Sequence, residues 1–349
     1  MSAQKTWKVL IPRKGEFPDG HIRELEAAGC EIVYAGEPAS GGLVSEADLA
    51  RAIPEVDGVI LPGMHPFTRA VLEQAPRLRV LSKTGIGVET VDVDAATELG
   101  IIVAFTPVPE HVIAVAEGTV GVILSLVKGL RFKESYLREG RWKSAHGPSA
   151  GVLMGKTIGI VGFGRIGQKV AEGLKPWNVR ILATDPYVTP EQAAAAGAEL
   201  VPLEELLAES DVVSLHVVVT PETSHMIGEK ELRRMKKTAF LINTSRGDAI
   251  DEPVLIRALK EGWIAGGAFD VFEEEPLPPG HPFFEIESAL LTPHCIGSSD
   301  ETRDAIRRAT VENCLRALRG EMPLYVKNPQ VLPRWKERFR APIEIPART

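Results

Sequence analysis

Short runs of β-branched residues alternate with helical segments along nearly the whole chain, and this alternation restricts the fold more than any other feature. It is typical of α/β units built on parallel sheets. In a first series the predicted strands are KVLIP (8–12), EIVYA (31–35), GVILPG (58–63), RVLSKT (79–84) and IIVAF (101–105). In a second series they are TIGIVGFG (157–164), RILATD (180–185), DVVSLHV (211–217), AFLINTS (239–245), IAGGAFDV (264–271) and ALLTPH (289–294). The pattern therefore predicts two parallel-sheet α/β domains.

Two long helical segments flank the second series. One runs from Val112 to about Arg141, and the other from Asp300 to Leu318. We expect the chain to enter and leave the second domain through these helices, with the last one returning to the first domain. The most hydrophobic stretch, 112–127, is shorter than the roughly 20 residues that a membrane span needs. A buried helix is therefore predicted there.

Composition excludes several function classes. The 47 acidic and 40 basic residues give a net charge of −7, which does not favour binding to nucleic acid or to an anionic membrane. Cys30, Cys295 and Cys314 are far apart, so they indicate reduced thiols rather than a disulfide framework or a metal site. The first residues lack the pattern of a signal peptide. A cytoplasmic protein without a metal is expected.

A glycine-rich turn, GFGRIG (162–167), follows the first strand of the second series and precedes an amphipathic helix. In this context the motif predicts dinucleotide binding. The first glycine allows a tight turn, the second lets the backbone approach a pyrophosphate, and the third lets helix and strand pack closely. The predicted cofactor contacts of this turn are Gly162, Gly164, Arg165, Ile166 and Gly167. A tight turn without a ligand is the alternative.

The next strand ends in an acidic residue, Asp185, 18 positions after Gly167. A carboxylate there can accept hydrogen bonds from the ribose hydroxyls, and it would repel the 2′-phosphate of NADP. The residues that follow, Pro186 to Val188, supply no cation. NAD is the predicted cofactor.

Three blocks of the second series resemble a known family. INTSRGDAIDE (242–252), GGAFDVFEEEP (266–276) and LTPHCIGSS (291–299) resemble the signature blocks of the D-isomer-specific 2-hydroxyacid dehydrogenases, and the resemblance extends over about residues 8–329. It implies two doubly wound parallel-sheet domains, a Rossmann nucleotide domain inserted into a flavodoxin-like substrate domain, with a cleft between them. It also implies homodimers built largely on the nucleotide domain.

The resemblance sets the expected domain limits. Residues 1–107 with 298–329 would form the substrate domain, and residues 108–297 the nucleotide domain. Residues 330–349 extend beyond the family pattern and carry five Lys or Arg against two Glu. We expect Trp335 and Phe339 to anchor this tail on the acidic body or on a partner subunit. A disordered tail is the alternative.

Oxidation of a 2-hydroxy acid moves a hydride from C2 to nicotinamide and a proton from the hydroxyl to a base. Histidine suits the proton step, a carboxylate can stabilise its imidazolium, and arginine can hold a carboxylate by two hydrogen bonds. Carried over from the matched blocks, these roles fall to His294, Glu275 and Arg246. Each of these residues also has a purely structural alternative. Glu275, for example, lies in an acidic triplet, and such runs are usually solvent-exposed.

The resemblance also implies further contacts around the cofactor and the substrate. Backbone N–H groups of Ile86 and Gly87 would meet the substrate carboxylate. Cys295-Ile296 replaces the family's usual Ile-Gly and would bring a bulky side chain beside the nicotinamide. The sequence does not decide whether His65 and His111 are packing residues or line a pocket. The remaining predicted cofactor contacts are His216, Thr223, Thr244, Ser245, Asp270 and Gly297.

Three other functions are weighed against a dehydrogenase of small 2-hydroxy acids. Some relatives with this fold are NAD-sensing co-repressors, which would have long disordered flanks. Formate dehydrogenases of the superfamily have glutamine where this chain has Glu275. D-3-phosphoglycerate dehydrogenase would need a cationic nest for phosphate, for which Lys83 is the one candidate at the neighbouring strand. An unphosphorylated 2-hydroxy or 2-oxo acid is therefore the predicted substrate.

Overall fold

The computed structural model describes residues 7–36, 42–142 and 151–339. The chain divides into two compact units. One unit contains the residues up to Pro109 and those from Asp300 onward, and the other contains Glu110–Ser299. Each unit is built on a parallel sheet, as the alternation of strand and helix patterns predicts.

In the described part of the first unit, five parallel strands lie in the order β2-β1-β3-β4-β5, which is the flavodoxin-like order. The strands are β1 (Trp7–Ile11), β2 (Cys30–Tyr34), β3 (Gly58–Leu61), β4 (Val80–Lys83) and β5 (Ile102–Ala104). The connecting helices are α1 (Asp19–Ala27), α2 (Glu46–Ala52), α3 (Arg69–Leu72) and α4 (Val93–Glu98). The strands are buried on both faces, which explains their nearly continuous apolar sequences.

The second unit begins with helices α5 (Pro109–Lys128) and α6 (Leu130–Arg138). The sequence pattern predicts one helical stretch here, but Gly129 adopts a left-handed conformation with φ of 58° and separates the two helices. By length and composition, α5 is the one helix in the described residues that could cross a membrane. Its residues Ala116, Ile123 and Val127 belong to the core of the unit, as expected of the predicted buried helix.

The second unit's sheet, within the described ranges, has seven parallel strands in the order β12-β11-β10-β9-β6-β7-β8. The order reverses beside β6, as in dinucleotide-binding folds. The strands are β6 (Thr157–Val161), β7 (Arg180–Thr184), β8 (Glu199–Leu200), β9 (Val212–Leu215), β10 (Phe240–Asn243), β11 (Gly266–Phe269) and β12 (Ala289–Leu291). The helices that connect them are α7 (Arg165–Leu174), α8 (Pro190–Ala195), α9 (Leu203–Glu209), α10 (Glu229–Arg234) and α11 (Glu252–Glu261).

The chain returns to the first unit through α12 (Asp300–Leu318), whose bounds agree with the predicted helix. Val311, Cys314 and Leu318 of this helix pack with strands of the first sheet. The tail then forms α13 (Leu332–Phe339). Trp335 is buried in the same core, and its Nε1 donates to the carbonyl of Arg79 at 2.9 Å. The described part of the tail is therefore anchored on its own first unit, while residues 340–349 lie outside the described residues.

Candidate active site

Two of the three glycines in the turn after β6, Gly162 and Gly167, occupy positions that require glycine. Gly162 has φ of 87°, and a Cβ on it would overlap the carbonyl of His216. A Cβ on Gly167 would overlap the carbonyl of Gly162, so the start of α7 lies directly against the turn. The space above Gly164 is open within 4 Å. Arg165 begins the ten-residue helix α7, and its N-terminus has the shape and polarity that suit a pyrophosphate.

Asp185 follows β7 and holds two segments of backbone. Its Oδ2 accepts a hydrogen bond from the Phe163 N–H, and its Oδ1 accepts one from the Tyr187 N–H, both at 2.8 Å. Each carboxylate oxygen has a second lone pair that can accept from a ribose hydroxyl. Asp185 therefore shapes the glycine turn as well as offering acceptors to a cofactor.

The loop after β9 brings His216 beside the glycine turn. Its Nε2 is 2.9 Å from Ser214 Oγ, and burial lowers the pKa of its ring to about 4. Its buried Nδ1 has no hydrogen-bond partner among the residues that the structure describes. Thr223 closes the same loop, since its hydroxyl donates to the Val218 carbonyl at 2.6 Å. An open glycine turn and an orphaned buried nitrogen next to it fit a dinucleotide.

His294 and Glu275 form a close pair at the carboxyl end of the sheet. His294 Nδ1 lies 2.6 Å from Glu275 Oε2, and the histidine side chain is half exposed. The other oxygen of Glu275 accepts from the Phe272 N–H at 3.1 Å. His294 adopts φ of 50° and donates its own N–H to the Asp270 carbonyl at 2.7 Å. The pair is therefore fixed at both ends, which leaves Nε2 as the outward ring nitrogen.

Asp270 organises the loop that carries His294. Its buried carboxylate accepts hydrogen bonds from Thr292 Oγ1 at 2.6 Å, the Cys295 N–H at 2.8 Å and the Ile296 N–H at 3.1 Å. The sequence comparison suggested a contact along the nicotinamide for this residue. The three hydrogen bonds give Asp270 a role in shaping the loop, and its contact along the nicotinamide stays a prediction.

Arg246 follows β10 in a turn that Asn243 holds together. Asn243 Nδ2 donates to the Arg246 carbonyl at 2.8 Å, and its Oδ1 accepts from the Ser245 N–H and hydroxyl at 3.0 and 2.8 Å. Thr244 Oγ1 lies 3.1 Å from Thr119 Oγ1 of α5. Sequence reasoning missed Asn243, although an asparagine at the end of a buried strand is a usable signal.

His111, undecided from the sequence, belongs to this site. It lies in the first turn of α5, and burial lowers its pKa, with the nearby charges of Arg246 and His294 lowering it further. Burial and the nearby positive charge both disfavour the protonated form of this ring. His65 is a packing residue of the first unit, since its buried ring accepts from the Val44 N–H at 3.0 Å and contacts Glu16 at 2.9 Å.

Gly297 and Ile296 pack against α5. A Cβ on Gly297 would lie within 3.4 Å of His111 Cε1 and would overlap Val115. The side chain of Ile296 fills the space over Gly118, where a Cβ would collide with it. The helix therefore accommodates the bulky residue that replaces the family's usual glycine.

The first unit carries the predicted substrate loop, which begins at Gly85 with φ of 87°. The Gly85 N–H donates to Thr106 Oγ1 at 2.6 Å, and the Thr106 N–H returns a bond to the Gly85 carbonyl at 2.8 Å. Ile86 and Gly87 follow this clamp. Lys83 is buried, its Nζ donates to the Thr84 carbonyl at 3.0 Å, and burial lowers its pKa to about 8. The cleft between the two domains stays a prediction.

Comparison with known proteins decides the family. A sequence model described as "D-isomer specific 2-hydroxyacid dehydrogenase, NAD binding domain" matches residues 120–295. The chain belongs to this family. A glyoxylate reductase of Korarchaeum cryptofilum is 41% identical over 80% of this chain and 85% of its own length. A D-3-phosphoglycerate dehydrogenase of Methanocaldococcus jannaschii is 39% identical over 84% of this chain and 56% of its own.

A solved structure supports the same assignment. The glyoxylate reductase from Paecilomyes thermophila superposes with a TM-score of 0.80 at 28% identity, covering 93% of this chain and 99% of that one. The resemblance deduced from the signature blocks is therefore confirmed, and so is the pair of parallel-sheet α/β folds. The protein is an NAD-dependent 2-hydroxyacid dehydrogenase, which makes a co-repressor function unnecessary to explain the chain.

Proposed function

We propose that His294 is the general acid and base of this dehydrogenase, with Glu275 as its carboxylate partner. The observation that carries the proposal is the 2.6 Å contact between His294 Nδ1 and Glu275 Oε2. Because Nδ1 faces the carboxylate, Nε2 is the atom that gives a proton to the substrate oxygen in reduction and takes it back in oxidation. The carboxylate stabilises the imidazolium and fixes the ring plane.

Arg246 holds the substrate carboxylate and polarises the carbonyl that is reduced. A planar guanidinium can make two parallel hydrogen bonds to a carboxylate, which sets the orientation of the substrate. The Asn243 contacts that fix the Arg246 turn support this role. His111, which lies near Arg246 in the same unit, contributes a polar wall.

The second unit holds the cofactor through the glycine turn, Asp185 and the loop of His216. When bound, NADH supplies the hydride that C2 of the substrate accepts. The residues of the chain contribute binding, orientation and the proton. The orphaned Nδ1 of His216, noted within the described residues, supports a hydrogen bond from this ring to the bound dinucleotide.

The substrate is a small unphosphorylated 2-oxo acid such as glyoxylate or hydroxypyruvate. Relatives named glyoxylate reductase support this choice. A phosphate would need a cationic nest, and Lys83 is a poor candidate because it is buried with its Nζ on a neighbouring carbonyl. His65 is likewise enclosed and paired with Glu16.

A competition between substrates tests the choice. We expect kcat/KM for glyoxylate or hydroxypyruvate to exceed that for 3-phosphohydroxypyruvate by about tenfold or more, since the unpaired phosphate would lose about 1.4 kcal/mol or more of binding. Lys83→Met should leave this ratio unchanged. Tenfold preference for the phosphorylated acid, abolished by Lys83→Met, would show that Lys83 binds phosphate and that the proposal is wrong.

Cofactor preference is expected to follow Asp185. Wild-type enzyme should prefer NAD over NADP by about 100-fold in kcat/KM, a difference of roughly 2.7 kcal/mol. Asp185→Ala should reduce this ratio, while Glu191→Ala, an exposed acidic control on α8, should not. Because Asp185 also holds the Phe163 and Tyr187 N–H groups, binding of both cofactors will weaken, so the ratio is the quantity to measure. Equal use of both cofactors by the wild type would refute the argument.

We also propose a cytoplasmic homodimer that assembles through the nucleotide unit. Helix α6 has no buried residue, and its Leu130 and Leu137 are 51% and 55% exposed. Trp142, Val152 and Met154 add further exposed apolar surface in the same part of the sequence. Exposed apolar side chains of this kind favour a protein partner. Sedimentation should give twice the 37.9 kDa chain mass, and Leu137→Glu should shift it toward the monomer.

A further inference from the structure

Two glutamates beside the acid–base pair, Glu252 and Glu273, bind each other's backbone. The Glu252 N–H donates to Glu273 Oε1 at 3.0 Å, and the Glu273 N–H donates to Glu252 Oε2 at 3.2 Å. We name this reciprocal pair the glutamate clasp. His281 Nε2 lies 3.2 Å from Glu252 Oε1, and His225 Nε2 lies 3.1 Å from Glu273 Oε1. Each carboxylate of the clasp therefore has a backbone donor and a histidine.

The Glu252 half of the clasp is buried, whereas the Glu273 side chain is 29% exposed. The side chain of Glu252 is 11% exposed and that of His281 is 14% exposed. Burial raises the pKa of Glu252, and the nearby charge of Glu273 raises it further. A desolvated carboxylate beside another negative charge persists only where donors compensate it. The Glu273 N–H and His281 supply that compensation to Glu252.

The clasp lies next to both halves of the candidate active site. Phe272 is the shared element, because its N–H donates to Glu275 Oε1 at 3.1 Å. Its carbonyl forms the next peptide with the Glu273 N–H, which donates to Glu252. On the other side, Gly247 packs so closely on the Phe272–Glu273 peptide that a Cβ would overlap the Phe272 carbonyl. Gly247 directly follows Arg246. One stretch of backbone thus supports both the partner of His294 and the turn of Arg246.

We propose that Glu252 and Glu273 are positioning residues of the dehydrogenase. The clasp fixes the Phe272–Glu273 backbone, and this backbone sets Glu275 against His294 and holds the turn that carries Arg246. The inference rests on the proposed roles of these three residues. Displacing catalytic groups by about 1 Å can lower a rate by about 10²-fold, and residues that orient a reacting group from behind typically contribute about 10–100-fold.

Kinetics of Glu273→Ala test the proposal against a matched control in the same triplet. We expect kcat for 2-oxo acid reduction to fall about 10–100-fold, with Kd for NADH changed less than about twofold, because the glycine turn is untouched. Glu274→Ala should behave as wild type. Glu273→Gln retains an acceptor for the Glu252 N–H and should recover most of the lost kcat.

The pH dependence of the rate distinguishes a positioning role of Glu273 from a role in stability alone. The protonated ring of His294 loses part of its carboxylate partner when Glu275 is displaced, so in Glu273→Ala the midpoint of the pH–rate profile should move to lower pH, as in Glu275→Gln. NMR titration of the His294 ring protons should move in the same direction without substrate present. The effects of Glu273→Ala and Glu275→Gln on kcat should be less than multiplicative, because they act on one unit.

Failure of this inference is distinguishable from failure of the proposed function. If the wild type reduces no 2-oxo acid, the function fails, while the NMR titration still tests the clasp. If Glu273→Ala lowers only the melting temperature and leaves kcat, the pH profile and the titration unchanged, the clasp is structural and the inference is wrong. Should Glu273→Ala not fold, Glu273→Asp shortens the reach by one methylene and tests the same expectation.

Discussion

Replacing His294 with alanine is expected to lower kcat by about 10²–10⁴-fold, the usual contribution of a general acid and base. The ring is half exposed and makes its recorded contact with Glu275 through Nδ1, so its removal should leave the fold intact. Melting temperature and NADH affinity should stay close to those of the wild type. Steady-state kinetics with a 2-oxo acid and NADH measure the effect.

A variant of Glu275 separates the role of this carboxylate from that of His294. Glu275→Gln keeps the shape of the side chain and the acceptor for the Phe272 N–H but removes the charge facing His294. Its kcat should fall less than that of His294→Ala, and its pH–rate profile should move to lower pH, because the imidazolium loses its carboxylate. Near-normal turnover by His294→Ala would remove the proposed mechanism altogether.

Replacing Trp335 with alanine is expected to destabilise the first unit by about 3–5 kcal/mol, as for other buried aromatic side chains. The side chain is 2% exposed, and its Nε1 donates to the Arg79 carbonyl at 2.9 Å. The Arg79 guanidinium also lies 4.4 Å from the centre of the Phe339 ring. Loss of the indole therefore leaves a cavity, removes one of the two hydrogen bonds to the Arg79 carbonyl and loosens helix α13.

Urea unfolding and melting temperature measure this effect, with Trp177→Ala as the control, because that tryptophan is 40% exposed. The control should change stability by less than about 1 kcal/mol. Truncation after Pro329 should destabilise in the same direction as Trp335→Ala. An unchanged melting temperature in both variants would contradict the anchoring role of the tail.

The positions of most strands could be predicted from the sequence because buried parallel strands leave continuous β-branched runs. The short edge strand β8 was missed, since Glu199-Leu200 carries no such pattern. The break between α5 and α6 was also missed. Gly129 is compatible with a helix in sequence terms, and only its left-handed conformation ends the first helix.

Residues of the candidate site could be predicted where the chemistry allows only one residue type. They could not be predicted where a role depends on the direction of the side chain in the folded protein. The glycine turn, His294 and Glu275 follow from the motifs. His65 and His111 could not be separated, because burial against Glu16 in one case and proximity to Arg246 in the other are tertiary properties. The hydrogen bond that Glu273 accepts from the Glu252 N–H is likewise a tertiary contact that the acidic triplet does not predict.

The reduction of hydroxypyruvate by NADH, with the configuration of the product determined, is the most direct measurement of the central claim. Wild-type enzyme should oxidise NADH and accumulate an equimolar amount of D-glycerate, and His294→Ala should do so far more slowly. Formation of L-glycerate, or no NADH oxidation with hydroxypyruvate, glyoxylate or pyruvate, would contradict the account.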